Sequence, residues 1–378
     1  MRTRRWLVLI LSSLLLAALA APRASAQVTE IKIAAGTPAD TDLQVIGQQS
    51  DAGKQKAMYT EFVSKYATDP MAVAYGYAQL AQIAFAAGDA KQAMEYGDKA
   101  LVAQPSYLDA LVSQVTFAQS LKLADKIVEY AARGGKAVNG IGTQPKPEGM
   151  DDAQFAADNE QQKKSAQQSY DFLQAAAYAA ITTEEDPDKR WAEVQQFDGA
   201  FPKSQFAEQT ATLAMYALQQ KGDYKQLAGY GEKLAEAQPK NLVVLSLLGG
   251  MLAEDPKRGF DTVAAGYAKR ALEAATPEDL ADSSRKIYAG MAHGALGWVA
   301  MKQEKTPAAI AELKQAEQLV QGNDAAYSTV MFRLGFAYAK LKQYGEAKAV
   351  LNKCAAVDGP YKEESKKLLV KVNAAGPK

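Results

Sequence analysis

One cysteine, Cys354, and one histidine, His293, are all that the 378 residues hold of either type. An intramolecular disulfide is therefore impossible, and stability must come from packing. Zinc sites of the usual composition need several thiolate or imidazole ligands, so they are excluded as well. A Ser-His-Asp triad would have to use His293 as its base, and that residue reads as part of a packed helix. Cys354 falls in an apolar helical pattern and reads as a buried, inert thiol. Net charge is missing too: 43 basic residues balance 43 acidic ones. Such a surface argues against binding a phosphate backbone, so no nucleic-acid partner is expected.

Other absences narrow the chemistry further. Asp151-Asp152 and Glu184-Glu185-Asp186 are acidic runs, but neither alternates its acids around a glycine as a calcium loop does. Ser283 and Lys286 have the S-x-x-K spacing of some hydrolases, without a companion motif. Ala52-Gly53-Lys54 lacks the flanking residues of a phosphate loop, and there is no dinucleotide fingerprint. No catalytic residue, metal ligand or cofactor is assigned.

The N-terminus reads as a targeting segment. Arg2, Arg4 and Arg5 precede an apolar run from Trp6 to Ala21, and Ala24-Ser25-Ala26 supplies a small-x-small cleavage pattern. Residues 1–26 are expected to be a Sec-type signal peptide cut after Ala26, giving a periplasmic or secreted protein. No cysteine lies near the cut, which excludes a diacylated lipoprotein. Beyond it, 39 basic residues face 43 acidic ones, a net of −4. The most apolar later stretch, Leu242 to Ala253, is broken by Gly249-Gly250, so no transmembrane segment is expected after signal removal.

What is present is repetition. Tyr96-Gly97-Asp98-Lys99 and Ala103-Gln104-Pro105 recur 134 residues later as Tyr230-Gly231-Glu232-Lys233 and Ala237-Gln238-Pro239. In each copy a turn, Gly88-Asp89 or Gly222-Asp223, lies seventeen residues before the proline. Near the C-terminus, Leu334-Gly335-Phe336-Ala337-Tyr338 is followed twelve residues after Gly335 by Ala347, then by Leu351 and Cys354. Leu296-Gly297 leads by the same step to Ala309, and Leu80-Ala81 to Ala93. Met331, Leu334, Tyr338 and Leu341 share one helix face by their spacing of three or four.

A separation close to four periods of about 34 residues, with these positions, resembles the tetratricopeptide repeat family, and in particular its exported bacterial members. The resemblance implies an all-α fold: a right-handed α-solenoid of stacked antiparallel helix pairs. Six to seven units are expected over residues 52–375, with the Lys-rich stretch Lys362 to Asn373 as a polar cap. Residues 27–51 show no helical period and are expected to be an extended leader. The glycine- and proline-rich stretch at about 134–165 reads as an insertion between units.

In this family the first helix of each pair lines a concave groove that holds a protein or peptide ligand. Matching the helix faces implies groove positions at Tyr75, Gln82 and Phe85, at Gln209, Tyr216 and Gln219, and at Trp298, Lys302, Phe336 and Lys340. Aromatic anchors with amides and lysines suit an extended peptide. The clamp that some members use for chaperone tails is missing, since Ala78, Thr212, Gly294 and Phe332 stand at its positions. The expected function is a non-catalytic scaffold, with cell-envelope or secretion complexes as its setting. The segment Phe197 to Tyr224 also resembles repeats of outer-membrane assembly lipoproteins. The alternative is a small-molecule or glycan binder, or a lid-bearing enzyme using the 134–165 insertion. Oligomeric state is not legible.

Overall fold

A computed structural model describes residues 29–375, and the signal peptide expected at residues 1–26 lies outside them. Eighteen helices and no strand occur among the described residues. Helices α1 (Pro38–Gly47) and α2 (Ala52–Lys65) precede seven pairs. These are α3 (Pro70–Ala86) with α4 (Ala90–Ala103), and α5 (Leu108–Ser120) with α6 (Ala124–Asn139). Next come α7 (Asp152–Thr183) with α8 (Pro187–Ala200), and α9 (Ala207–Gln220) with α10 (Tyr224–Ala237). The fifth pair is α11 (Leu242–Leu252) with α12 (Asp261–Ala274), followed by the single-turn α13 (Pro277–Ala281). Then α14 (Lys286–Lys302) pairs with α15 (Thr306–Leu319), α16 (Asp324–Lys340) with α17 (Tyr344–Ala356), and α18 (Lys362–Ala375) closes the array.

The pairs stack in chain order. The second helix of one unit packs on the first helix of the next, as α4 does on α5 and α15 on α16. First helices also touch one another along α9, α11, α14, α16 and α18. This is an all-α solenoid, in which each apolar face left by one hairpin is covered by its neighbour. Within the last two pairs the close approach has one device. An added Cβ at Gly335 would lie 2.6 Å from the Leu351 side chain, and one at Gly297 would lie 2.7 Å from Leu313. In both pairs a fully buried leucine sixteen residues later fills the missing side chain's place, so the helix axes draw together.

Five of the seven turns inside the pairs share one geometry. Gly88, Lys122, Gly222, Glu304 and Lys342 all have positive φ, between 57° and 85°. In each case the next residue's N–H donates five residues back, as Asp89 does to the Ala84 carbonyl and Gln343 to that of Tyr338. That is the Schellman closure, which satisfies carbonyls the helix end leaves free. The following helix is capped by aspartate where the turn reads Gly-Asp: Asp89 accepts from the Gln92 N–H and Asp223 from that of Gln226, at 2.9 and 3.0 Å.

Two boundaries differ from the sequence expectation. The leader is not extended throughout, because residues 38–47 form α1. Thr37 caps it, Pro38 starts it, and Ala39 and Ile46 are buried in a cluster with Tyr59, Phe62 and Val63. Ahead of it, Ile31 and Ile33 pack on the array, and the Thr29 carbonyl accepts from the Leu108 N–H at 3.1 Å. The insertion is also shorter than 134–165. Helix α6 continues through Gly134-Gly135, where side chains of Leu173 and Phe201 occupy the space a Cβ would need. The irregular part is 140–151, and the polar residues after it begin the 32-residue helix α7.

Candidate functional site

The first helices of the C-terminal half enclose a cavity of about 800 Å³. Helix α9 contributes Thr212, Tyr216 and Gln219; α11 contributes Leu247, Gly250 and Met251, with Glu254 just beyond its end. Helix α14 adds Ile287, Tyr288, Met291 and Gly294, and α16 adds Ala326, Thr329, Val330 and Arg333. Tyr224 stands at one side, and Pro360-Tyr361, between α17 and α18, at the other. Four consecutive first helices thus form a trough with apolar walls and a rim of hydroxyls and amides, the composition of a ligand site.

The floor holds an ion pair. Arg333 is buried and its guanidinium bonds to the Glu254 carboxylate. Its other terminal nitrogen reaches the Gly294 carbonyl at 3.4 Å, and its charged carbon lies 5.1 Å over the Trp298 ring. Burial pulls this guanidinium down to about 10, although the Tyr361 hydroxyl opposes the shift. Glu254 retains 29% side-chain exposure. Around them, burial raises the Tyr216 and Tyr224 hydroxyls above the ordinary tyrosine range, so both stay protonated donors near neutral pH.

The residues implied by resemblance divide. Tyr216 and Gln219 line the cavity. Gln209 is exposed near the start of α9, and Phe336 and Lys340 are exposed on α16, all outside the lining. Trp298 is half-buried between the second and third core clusters, with Phe336 edge-on at 6.5 Å. Lys302 is no free groove cation. It is paired with Asp261 and donates to the Ala253 carbonyl at 2.7 Å, because the long α11–α12 connection folds back over the end of α14. In the N-terminal half, Tyr75 and Phe85 are partly buried against core clusters, and exposed Gln82 donates to Ser113 Oγ at 2.7 Å. They do not join the cavity.

Sequence reasoning missed Arg333, Glu254, Tyr288 and Tyr361. Arg333 had a signal: it stands immediately before the Leu334-Gly335 pair, and the residues at the same place before Leu296-Gly297, Ala214-Met215 and Leu80-Ala81 are Ala295, Leu213 and Gln79. Tyr361 had none, because it reaches the trough from a connection outside the helical period. Of the positions at which the chaperone-tail clamp is absent, Thr212 and Gly294 do lie in the lining, so the trough is in register while its charges are elsewhere.

A smaller hollow of about 390 Å³ lies beneath the first half of α7. Glu30, Lys32, Asp109, Asp158 and Gln161 border it, and burial and the nearby Glu30 raise the Asp109 carboxyl above the usual carboxylate range. His293 meets Glu312 at 2.7 Å away from either cavity, and Cys354 is fully buried against Ser328. No cluster of metal-ligating side chains occurs among the described residues, and none of their helices is long and apolar enough to cross a membrane.

The fold defines the class: an all-α solenoid of helices stacked in successive pairs. No family model matches the chain, and no curated protein matches it. Among solved structures, it is similar to the TPR domain of P58(IPK) at 13% identity and a TM-score of 0.31, over 90% of this chain and 98% of that one.

Proposed function

We propose that the protein is an exported, non-catalytic scaffold that holds a peptide or protein segment in the trough of α9, α11, α14 and α16. One observation carries this reading: four successive first helices converge on a single cavity of about 800 Å³, with aromatic and methionine walls and hydroxyl and amide rims. Cell-envelope or secretion assemblies are the proposed setting, and the basic, apolar N-terminus with its Ala24-Ser25-Ala26 pattern supports export. Partner capture by the native chain and by Tyr288→Ala, measured by crosslinking in the cell followed by mass spectrometry, tests the site. Unchanged capture by a folded Tyr288→Ala protein would remove the trough from the function. N-terminal sequencing should find Gln27 first in periplasmic or secreted material, whereas an intact Met1 in membranes would end the export proposal.

A second reading, binding of a glycan or small molecule, would use the hollow beneath α7, where three acidic side chains meet amides and hydroxyls. Asp109→Asn separates the two. Loss of ligand with that substitution, and none with Tyr288→Ala, would favour the hollow.

A further inference from the structure

The trough's floor has a charge pattern that restricts what can lie on it. Among the described residues, Arg333 and Glu254 are the only charged ones in the lining, and they are bonded to each other. The cavity is therefore electroneutral. An incoming carboxylate that took Arg333 would strand Glu254, and an incoming ammonium that took Glu254 would strand a buried guanidinium; either loss is costly in such surroundings. A tail bearing several charges of one sign meets no complement at all.

The same pair suits an uncharged amide. An amide edge presents one C=O acceptor and one N–H donor. A guanidinium beside a carboxylate presents the reverse, a donor beside an acceptor. The bond to the Gly294 carbonyl is long, at 3.4 Å, so that guanidinium donor is weakly held and can turn to an incoming carbonyl. The exposure of Glu254 leaves carboxylate capacity open to the cavity. Nothing in the stacking requires an ion pair here, since the matching first-helix positions carry Ala295, Leu213 and Gln79. Beside the pair, Met251, Met291 and Val330 form an apolar wall for one large side chain.

We infer that the trough takes the interior of an uncharged peptide, with a backbone amide lying on the Arg333–Glu254 pair and an apolar side chain against the methionine wall. Free termini are not read. This rests on the groove-binding reading above and specifies its ligand.

The experiment uses the mature protein and a phage-displayed random nonapeptide library. Retained sequences are resynthesised with acetylated and amidated ends and measured by fluorescence polarisation. The expected outcome is enrichment of apolar peptides of net charge near zero that bind equally well with blocked ends. The double variant Arg333→Met/Glu254→Gln keeps neutrality and should bind them about tenfold more weakly. Glu254→Gln alone leaves the trough with an unpaired cation and should shift selection toward acidic peptides. It serves where the double variant does not fold, as judged by circular dichroism. Enrichment of acidic or basic peptides by the native protein would overturn the inference and leave the trough as a binding site. So would affinity that depends on a free terminus, or native-like binding by either folded variant. Retention of no peptide at all would overturn the groove reading together with it.

Discussion

The Tyr130 hydroxyl donates to Asp98 at 2.6 Å, tying the second helix of one unit to the second helix of the next. The contact recurs: Tyr230 donates to Asp198 at 3.1 Å, again with a spacing of 32 residues. Gln114, fully buried between them in the first case, adds a second donor to Asp98 at 2.8 Å. The bond thus acts as a staple between repeats, made by residues outside the trough's lining. Burial raises the Tyr130 hydroxyl well above the ordinary tyrosine range, and the bond to Asp98 adds to it, so the donor stays protonated. Tyr130→Phe keeps the ring's packing and loses one bond to a charged acceptor, at a cost of about 1–2 kcal/mol. Asp98→Ala strands the Tyr130 hydroxyl and leaves the Gln114 amide only its bond to the Met94 carbonyl, and should cost roughly 2–3 kcal/mol. Urea denaturation of both variants checks the order.

Glu193 should make stability depend on pH. This α8 residue is 5% exposed, and its Oε2 atom has no hydrogen-bond partner. Burial, with Glu184 and Asp125 adding repulsion, pushes its carboxyl from the ordinary 4.5 up to about 7. The folded protein therefore holds a proton that the unfolded chain has released between those values. Its contribution is most favourable below about pH 4.5 and is lost as pH rises through 7. Glu193→Gln is expected to be neutral at pH 4.5 and stabilising by roughly 1–3 kcal/mol at pH 8. Chemical denaturation at the two pH values measures the difference. An equal gain at both would show that the buried charge is not the cause.

The repeated turn gives a test that needs no ligand. Lys122, Glu304 and Lys342 hold the left-handed backbone that Gly88 and Gly222 hold without a Cβ penalty. Each of Lys122→Gly, Glu304→Gly and Lys342→Gly should stabilise by about 0.5–1 kcal/mol, and Gly88→Ala and Gly222→Ala should destabilise by about 1 kcal/mol. Thermal melts of the five variants read the sign directly.

These turns also show how far the sequence could be read. Gly88-Asp89 and Gly222-Asp223 exposed the repeat because glycine marks the left-handed residue and aspartate caps the next helix. The other three turns have the same geometry but carry lysine or glutamate, which local chemistry does not flag. The fold was therefore visible through its apolar spacing, while some unit boundaries were not. The loop expected from Gly134-Gly135 is a helix because glycine there answers a packing demand from Leu173 and Phe201, which no local pattern encodes. The trough was legible only in part. Periodicity identifies a helix face, as at Tyr216 and Gln219, but not what a neighbouring connection lays across it, as at Lys302.

Trp298 is where that distinction has a measurable consequence. Its ring packs between two core clusters, and the Arg333 guanidinium rests over its face at 5.1 Å. It supports the trough's floor without belonging to the lining. Trp298→Ala should lower stability by roughly 2–4 kcal/mol through lost packing, with a cation–π share of about 1 kcal/mol. Trp298→Phe keeps a ring beneath the guanidinium and should recover more than half of that. Phe336, exposed on the same helix as Arg333, should cost under 1 kcal/mol as Phe336→Ala. Urea midpoints rank the three. A Trp298→Ala protein as stable as the native chain would mean that the ring bears no packing load, and that the buried guanidinium is held by its hydrogen-bond partners without it.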